Sequence, residues 1–392
     1  MNKITITLVI ILIIVMIIML AMAYIFSRPL LNFNDKLMEE SKTLNGKAPS
    51  YCNPIIPQGF RISNKGASWK YVENKIEGWN NGLVIEDGDG NQFVWIPVKD
   101  GIGKDGKYDN NNEVKYKKWY IDEGKDSLDQ QTKMELEDLL ERSLEGGIIT
   151  EEQIIEDKLP QGVTSEQEQI IKYGGFYIAR YESGIEKNIL QKIYSLEENY
   201  EEITVDERNN TVEYKPVSKE DMQIWNFIEY SNAKTVAENM YNNQNVKSGL
   251  MTGRQFDTIM RWAISNGYNL EDTTTWGNFL DTYSENYRYS YASYLRKKSQ
   301  DWKLKGNGNK DRNNIIFTSS GGLESAKMNE IYDIVGNVFE FTTDLYEGKI
   351  SLVRGGSAAY SGKKDSPHPA IATSMGDSLH YVIGFRVVLY IS

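Results

Sequence analysis

The chain has 392 residues, 40% of them hydrophobic and 25% charged, so it holds enough apolar material for a sizeable core. One cysteine, Cys52, and two histidines, His368 and His380, exclude an internal disulfide, a cysteine-built zinc site and a three-imidazole metal centre. Forty-four Lys and Arg against 55 Asp and Glu leave a net charge of −11, which disfavours nucleic acid as a partner because phosphate binding rests on basic patches.

The first feature in the chain is an uncharged run at residues 4–26, bounded by Lys3 and Arg28. As a helix it spans about 34 Å, more than a bilayer hydrocarbon core of about 30 Å. Residues 1–26 therefore read as a transmembrane anchor, with the body extracytoplasmic. Ala21-Met22-Ala23 resembles a cleavage site, so secretion after cleavage near Ala23 is the alternative. Residues 27–53 read as a polar stalk, with folding expected to begin near Pro54.

Residues 82–98 carry a hairpin signal: two β-rich runs flank Asp87-Gly88-Asp89-Gly90-Asn91. The later spacing does not fit an EF-hand loop. Residues 99–170 read as a charged, partly helical insertion, with helical pieces at 134–144 and 151–155. Strand character returns at 175–183. Residues 221–237 are expected to be helical, with Trp225, Ile228 and Ala233 buried. A second helix is expected over 252–262, with Thr252 as its N-cap and Phe256, Ile259, Met260 and Ala263 as its apolar stripe. From 267 to 322 the pattern dissolves into polar, glycine-rich sequence, which is either packed irregular structure or a functional loop region.

Five segments then fall into order: 174–184 (GGFYIARYESG), 250–263 (LMTGRQFDTIMRWA), 331–344 (IYDIVGNVFEFTTD), 352–357 (LVRGGS) and 384–389 (GFRVVL). Together they resemble the formylglycine-generating enzyme, or sulfatase-modifying factor, family. The resemblance implies an α+β, C-type-lectin-like domain with much irregular structure over 54–392, interrupted by the 99–170 insertion and preceded by one transmembrane helix. It also implies calcium, held by the side chains of Asp333 and Glu340 and the carbonyls of Gly336 and Val338. Calcium prefers such oxygen donors. Read from the residues alone, the same segment also fits a hydrogen-bonded turn without metal, organised by Asn337. Phe339 and Phe341 stand where the family has tryptophans.

The departures decide the chemistry. The family's oxidase uses two cysteines and copper shortly after the Arg-Gly-Gly-Ser segment, and residues 357–375 here contain no cysteine. Related iron enzymes need more histidines than this chain has, so neither copper nor iron is expected. The reading is a membrane-anchored extracytoplasmic binding or display module, not an enzyme, with an unknown protein or glycan ligand. Its expected ligand surface is the 358–383 interval, carrying Tyr360, Lys363, Lys364, Asp365, His368, His380 and Tyr381. Two alternatives stand beside it. One is an enzyme of unrecognised chemistry on the same scaffold; the other is a structural envelope protein that assembles through the insertion.

Overall fold

The computed structural model describes residues 37–66, 70–72, 75–77, 79–98, 154–185, 210–270, 272–282, 317–363, 373–374 and 382–392, together with Met16 and His380. In chain order the strands begin with β1 (Lys42–Thr43), β2 (Ile55–Ile56), β3 (Phe60–Ile62), β4 (Lys70–Val72), β5 (Lys75–Glu77), β6 (Val84–Asp87), β7 (Gln92–Pro97) and β8 (Ile154–Glu156). Helix α1 (Glu166–Tyr173), strands β9 (Gly175–Ala179), β10 (Gly184–Ile185) and β11 (Gln223–Ile224), and helix α2 (Tyr230–Met240) follow. Next come β12 (Val246–Leu250), α3 (Gly253–Ser265), β13 (Lys327–Met328), β14 (Ile331–Tyr332), β15 (Phe339–Tyr346) and β16 (Ile350–Arg354). The last strands are β17 (Thr373–Ser374), β18 (Ile383–Phe385) and β19 (Val387–Ile391).

Six strands form one antiparallel sheet in the order β12-β19-β9-β7-β6-β3. Side chains alternate across a strand, so a sheet buried on both faces needs apolar residues at every position. That is why β7 after Gln92, and all of β19, read as apolar runs. Phe93, Trp95, Tyr177, Val387 and Leu389 face one core, with Ala233, Val236 and Met240 of α2 and Phe339, Phe341 and Phe385 of the second sheet. Val94, Ile96, Ile178 and Val388 face the other, against Phe256, Ile259, Met260 and Ala263 of α3. The second sheet runs β17-β16-β15-β18, with β8 paired on β15; β15 and β18 are parallel, the other pairs antiparallel.

The hairpin at 82–98 forms as β6 and β7, and α3 starts at its expected cap. The Thr252 hydroxyl accepts from Gln255 N at 3.1 Å, while the Gln255 side chain accepts from Thr252 N at 2.9 Å, a reciprocal capping box. The helix expected at 221–237 begins only at Tyr230. Phe227 adopts φ 56°, outside the helical range, and Gln223–Ile224 pair with β10, so Trp225 and Ile228 are buried from a turn. Residues 154–156 are strand, not helix, because β15 offers them an edge. Packed structure also starts upstream of Pro54. Met38 N donates to Phe60 O, β1 pairs with β2, and Leu44 is buried.

No helix among the described residues is long and apolar enough to cross a membrane. Residues 4–26, where the sequence places the span, lie outside the described residues except for Met16. So does the insertion over 99–153, with its expected helix at 134–144.

Candidate functional site

The Gly-Asn-Val segment before β15 meets the residues after β9 in a fully buried charged node. Glu182 is the centre. Its Oε2 accepts from Asn337 Nδ2 at 2.5 Å and its Oε1 from Val338 N at 3.1 Å. Asn337 Oδ1 accepts from Thr318 N at 2.9 Å and from Asn278 Nδ2 at 3.0 Å, so one amide gathers three chain segments. The turn needs left-handed backbone at both Gly336 (φ 84°) and Asn337 (φ 54°). A Cβ on Gly336 would lie 2.5 Å from Asn278 O, so only glycine lets the two backbones approach.

Arg386, between β18 and β19, supplies the node's positive charge. Its Nε donates to Glu340 Oε1 at 2.8 Å, Nη1 to Ala179 O at 3.0 Å and Nη2 to Tyr332 O at 2.9 Å. Neither Arg386 nor Glu340 has meaningful exposure. Burial pushes the Glu340 carboxyl up, and the Arg386 guanidinium opposes it. Burial pushes Glu182 well above the usual carboxylate range. The charges of Asp333 and Glu340 push the same way, against Arg386 and the Asn337 amide. Three carboxylates and one guanidinium leave surplus negative charge, which a proton or a cation must offset.

Beside the node lies the Arg-Gly-Gly-Ser segment. Arg354 forms a fully buried ion pair with Asp257 of α3, its guanidinium carbon 4.6 Å from the Phe256 ring centroid. Gly336 N donates to Gly355 O and Ala358 N to Asn337 O, laying the loop along the node. The following residues are held by the 272–282 segment: Gly362 N donates to Asp281 Oδ1 at 2.7 Å, Thr273 N to Gly362 O at 2.9 Å and Leu280 N to Tyr360 O at 2.8 Å.

Of the expected calcium set, Asp333 and Glu340 both act on Glu182, but each already has protein partners. Asp333 Oδ2 accepts from Gly321 N at 3.2 Å, and Glu340 gives Oε1 to Arg386, leaving Oε2 buried with no hydrogen bond among the described residues. No group of three or more His, Cys, Asp or Glu side chains among the described residues is placed to hold a metal ion. Backbone carbonyls of Gly336 and Val338 would therefore have to complete a calcium site.

Copper(I) takes thiolates. The chain's one thiol, Cys52, lies 3.6 Å from Ser50 Oγ, beside the Tyr51 carbonyl that accepts from Trp95 Nε1. The loop after Arg354 packs instead against 272–282, so the residues present do not fit a two-thiolate copper site.

On the expected ligand surface, Tyr360 is half-buried with its ring edge-on to Phe339 at 5.4 Å, and Lys363 is exposed. His380 Nδ1 accepts from Val382 N at 3.3 Å, and burial lowers its pKa. Lys364, Asp365, His368 and Tyr381 lie outside the described residues. The sequence alone does not single out Glu182 or Asp281. Nothing beside Glu182 in the chain marks it, because β9 ends at Ala179 and its hydrogen-bond partners lie far along the sequence.

A family model described as a sulfatase-modifying factor enzyme 1-like domain matches residues 160–391, more than half of the chain. No curated protein matches it. Strands β3, β6 and β7 precede the matched residues yet complete the six-stranded sheet through β9, so the folded unit reaches upstream of residue 160.

Proposed function

Because the chain belongs to the sulfatase-modifying factor enzyme 1-like family, we propose a use for that scaffold that does not involve the oxidase chemistry. The protein is a membrane-anchored, extracytoplasmic binding and display module whose presented surface is the 358–383 interval. The observation that carries this reading is the thiol inventory. One cysteine in 392 residues sits in the turn between β1 and β2, while residues 357–363 offer serine, alanine, tyrosine, glycine and lysine. The apolar run at 4–26 supports the anchor. The experiment is direct: copper-treated full-length chain is incubated with a cysteine-containing sulfatase peptide, and the products are read by mass spectrometry. The peptide is expected to stay unmodified; an aldehyde product refutes the reading.

The proposal includes calcium as the cation that offsets the surplus charge of Glu182, Asp333 and Glu340. Support comes from the buried, unsatisfied Oε2 of Glu340. A proton on Glu182 is the competing source of charge, favoured by its raised pKa. Chelator added to the full-length chain is expected to lower its melting temperature. An unchanged melting curve removes calcium and leaves the proton.

A further inference from the structure

The first packed residues of the chain determine which face of the domain lies nearest to an N-terminal anchor. Met38 N donates to Phe60 O at 2.8 Å and Gly59 N to Met38 O at 2.9 Å, so the chain enters the domain along the outer edge of β3. Phe60 pairs with Asp87, at the turn end of the β6–β7 hairpin. The exposed Leu37 reaches that turn: its Cδ1 lies 3.2 Å from where a Cβ on Gly88 would stand. The 213–219 segment is bound to the same turn, with Ser218 N donating to Asn91 Oδ1 at 3.0 Å and Gln92 N to Ser218 O at 2.8 Å.

Only residues 27–36 separate Leu37 from the apolar run that ends at Phe26. They would span at most about 35 Å fully extended, and about 18 Å as a coil. A folded body of about 300 residues is about 50 Å across. The tether is therefore shorter than the body it holds, and it is attached at one side. Resting on the proposed anchor at 4–26, we infer that the β6–β7 turn, with Leu37 and the 213–219 segment, is the surface apposed to the lipid headgroups. A stalk running to residue 53 would leave the orientation of the body open; packing from Leu37 onward closes that freedom. The charged side chains of this face include Asp89 and Glu213 beside Lys215, so it is not a basic patch. The tether, not attraction to anionic lipid, sets its approach.

The test uses the full-length chain in phosphatidylcholine vesicles that carry an energy-transfer acceptor on a lipid headgroup. A donor dye is attached at Asp89→Cys or at Ile264→Cys, each combined with Cys52→Ser. Both positions are exposed. Ile264 lies at the C-terminal end of α3, which Asn80 holds through Trp262 Nε1 at 2.7 Å and Asn266 Oδ1 at 2.8 Å, before β6 and away from its turn. Transfer is expected to be stronger from residue 89 than from residue 264. Inserting about thirty Gly and Ser residues after Lys36 doubles the coil distance and should abolish that difference. Equal or stronger transfer from residue 264, in chain that floats with the vesicles, overturns the inference and leaves the anchor standing. A difference that survives the insertion overturns the tether as its cause. A chain that does not float with the vesicles removes the anchor, and this placement with it.

Discussion

Replacing Arg386 by methionine tests whether the buried node holds the domain together. The substitution keeps an apolar stem of similar length and removes the guanidinium. Glu340 would then keep a carboxylate with no cationic partner at essentially zero exposure, and the carbonyls of Ala179 and Tyr332 would lose their donors. Breaking a buried ion pair from one side costs about 3–5 kcal/mol. Each abandoned carbonyl could add to that, but the losses share one side chain and do not sum. For a domain of this size, about 2–4 °C of melting temperature is lost per kcal/mol, so the midpoint should fall by about 6–20 °C. Thermal unfolding of the full-length chain followed by near-ultraviolet circular dichroism measures it. The double variant Arg386→Met/Glu340→Gln removes the stranded charge and should recover part of the loss. A single variant melting within about 3 °C of the parent would refute the argument, and so would a double variant no more stable than the single. Calcium supplies a second readout. If an ion held at Asp333 and Glu340 offsets the surplus charge, adding it should raise the midpoint of Arg386→Met more than that of the parent.

Two further outcomes test the frame around the node. Thr252→Ala removes the reciprocal cap of α3 and should lower stability by about 1 kcal/mol in urea titration, whereas Thr252→Ser should be nearly neutral. Asp157 gives a pH dependence. Burial alone would raise its pKa, but Lys234 Nζ at 2.8 Å, Lys158 N at 2.7 Å and the Tyr230 hydroxyl at 3.0 Å hold it below its ordinary value of 3.8. A depressed carboxylate stabilises the fold above its unfolded pKa and loses that contribution as pH falls through the folded one. The difference in melting temperature between the parent and Asp157→Asn should therefore shrink as pH drops below 3.8. The group is partly exposed, so the effect should be modest and weaken with salt.

What the sequence revealed depended on whether local or distant residues decide the conformation. Helix α3 was legible to its cap because Thr252, Gln255 and the 3.6-residue stripe all lie within one segment. The β6–β7 hairpin was legible because Asp-Gly turns carry their own backbone preference. Residues 221–229 misled because Trp225 and Ile228 are buried at a spacing that also suits a helix. What keeps that segment extended is its pairing with β10, supplied from nearly forty residues upstream. Glu182 escaped notice for the same reason: its partners Asn337, Val338 and Arg386 are more than 150 residues away, and nothing beside it in the chain marks it. Arg386 and Glu340 were visible as letters of motifs, but their pairing is a property of the parallel contact between β15 and β18.

The same separation explains how a family scaffold can keep its shape without the family's thiols. The residues that fix the architecture, Glu182, Asn337, Glu340, Arg354 and Arg386, are all fully buried, and each bonds at least one other segment of the chain. Ala358, next along the chain, still donates its N–H to Asn337 O, but residues 359–363 make no hydrogen bond to the node among the described residues. They are held from the far side by Asp281, Thr273 and Leu280, largely through their backbone groups. A loop anchored through its backbone places few demands on its own side chains. The exposed Lys363 can therefore change without unbalancing the buried charges, whereas Tyr360 is tied to the core through its ring contact with Phe339.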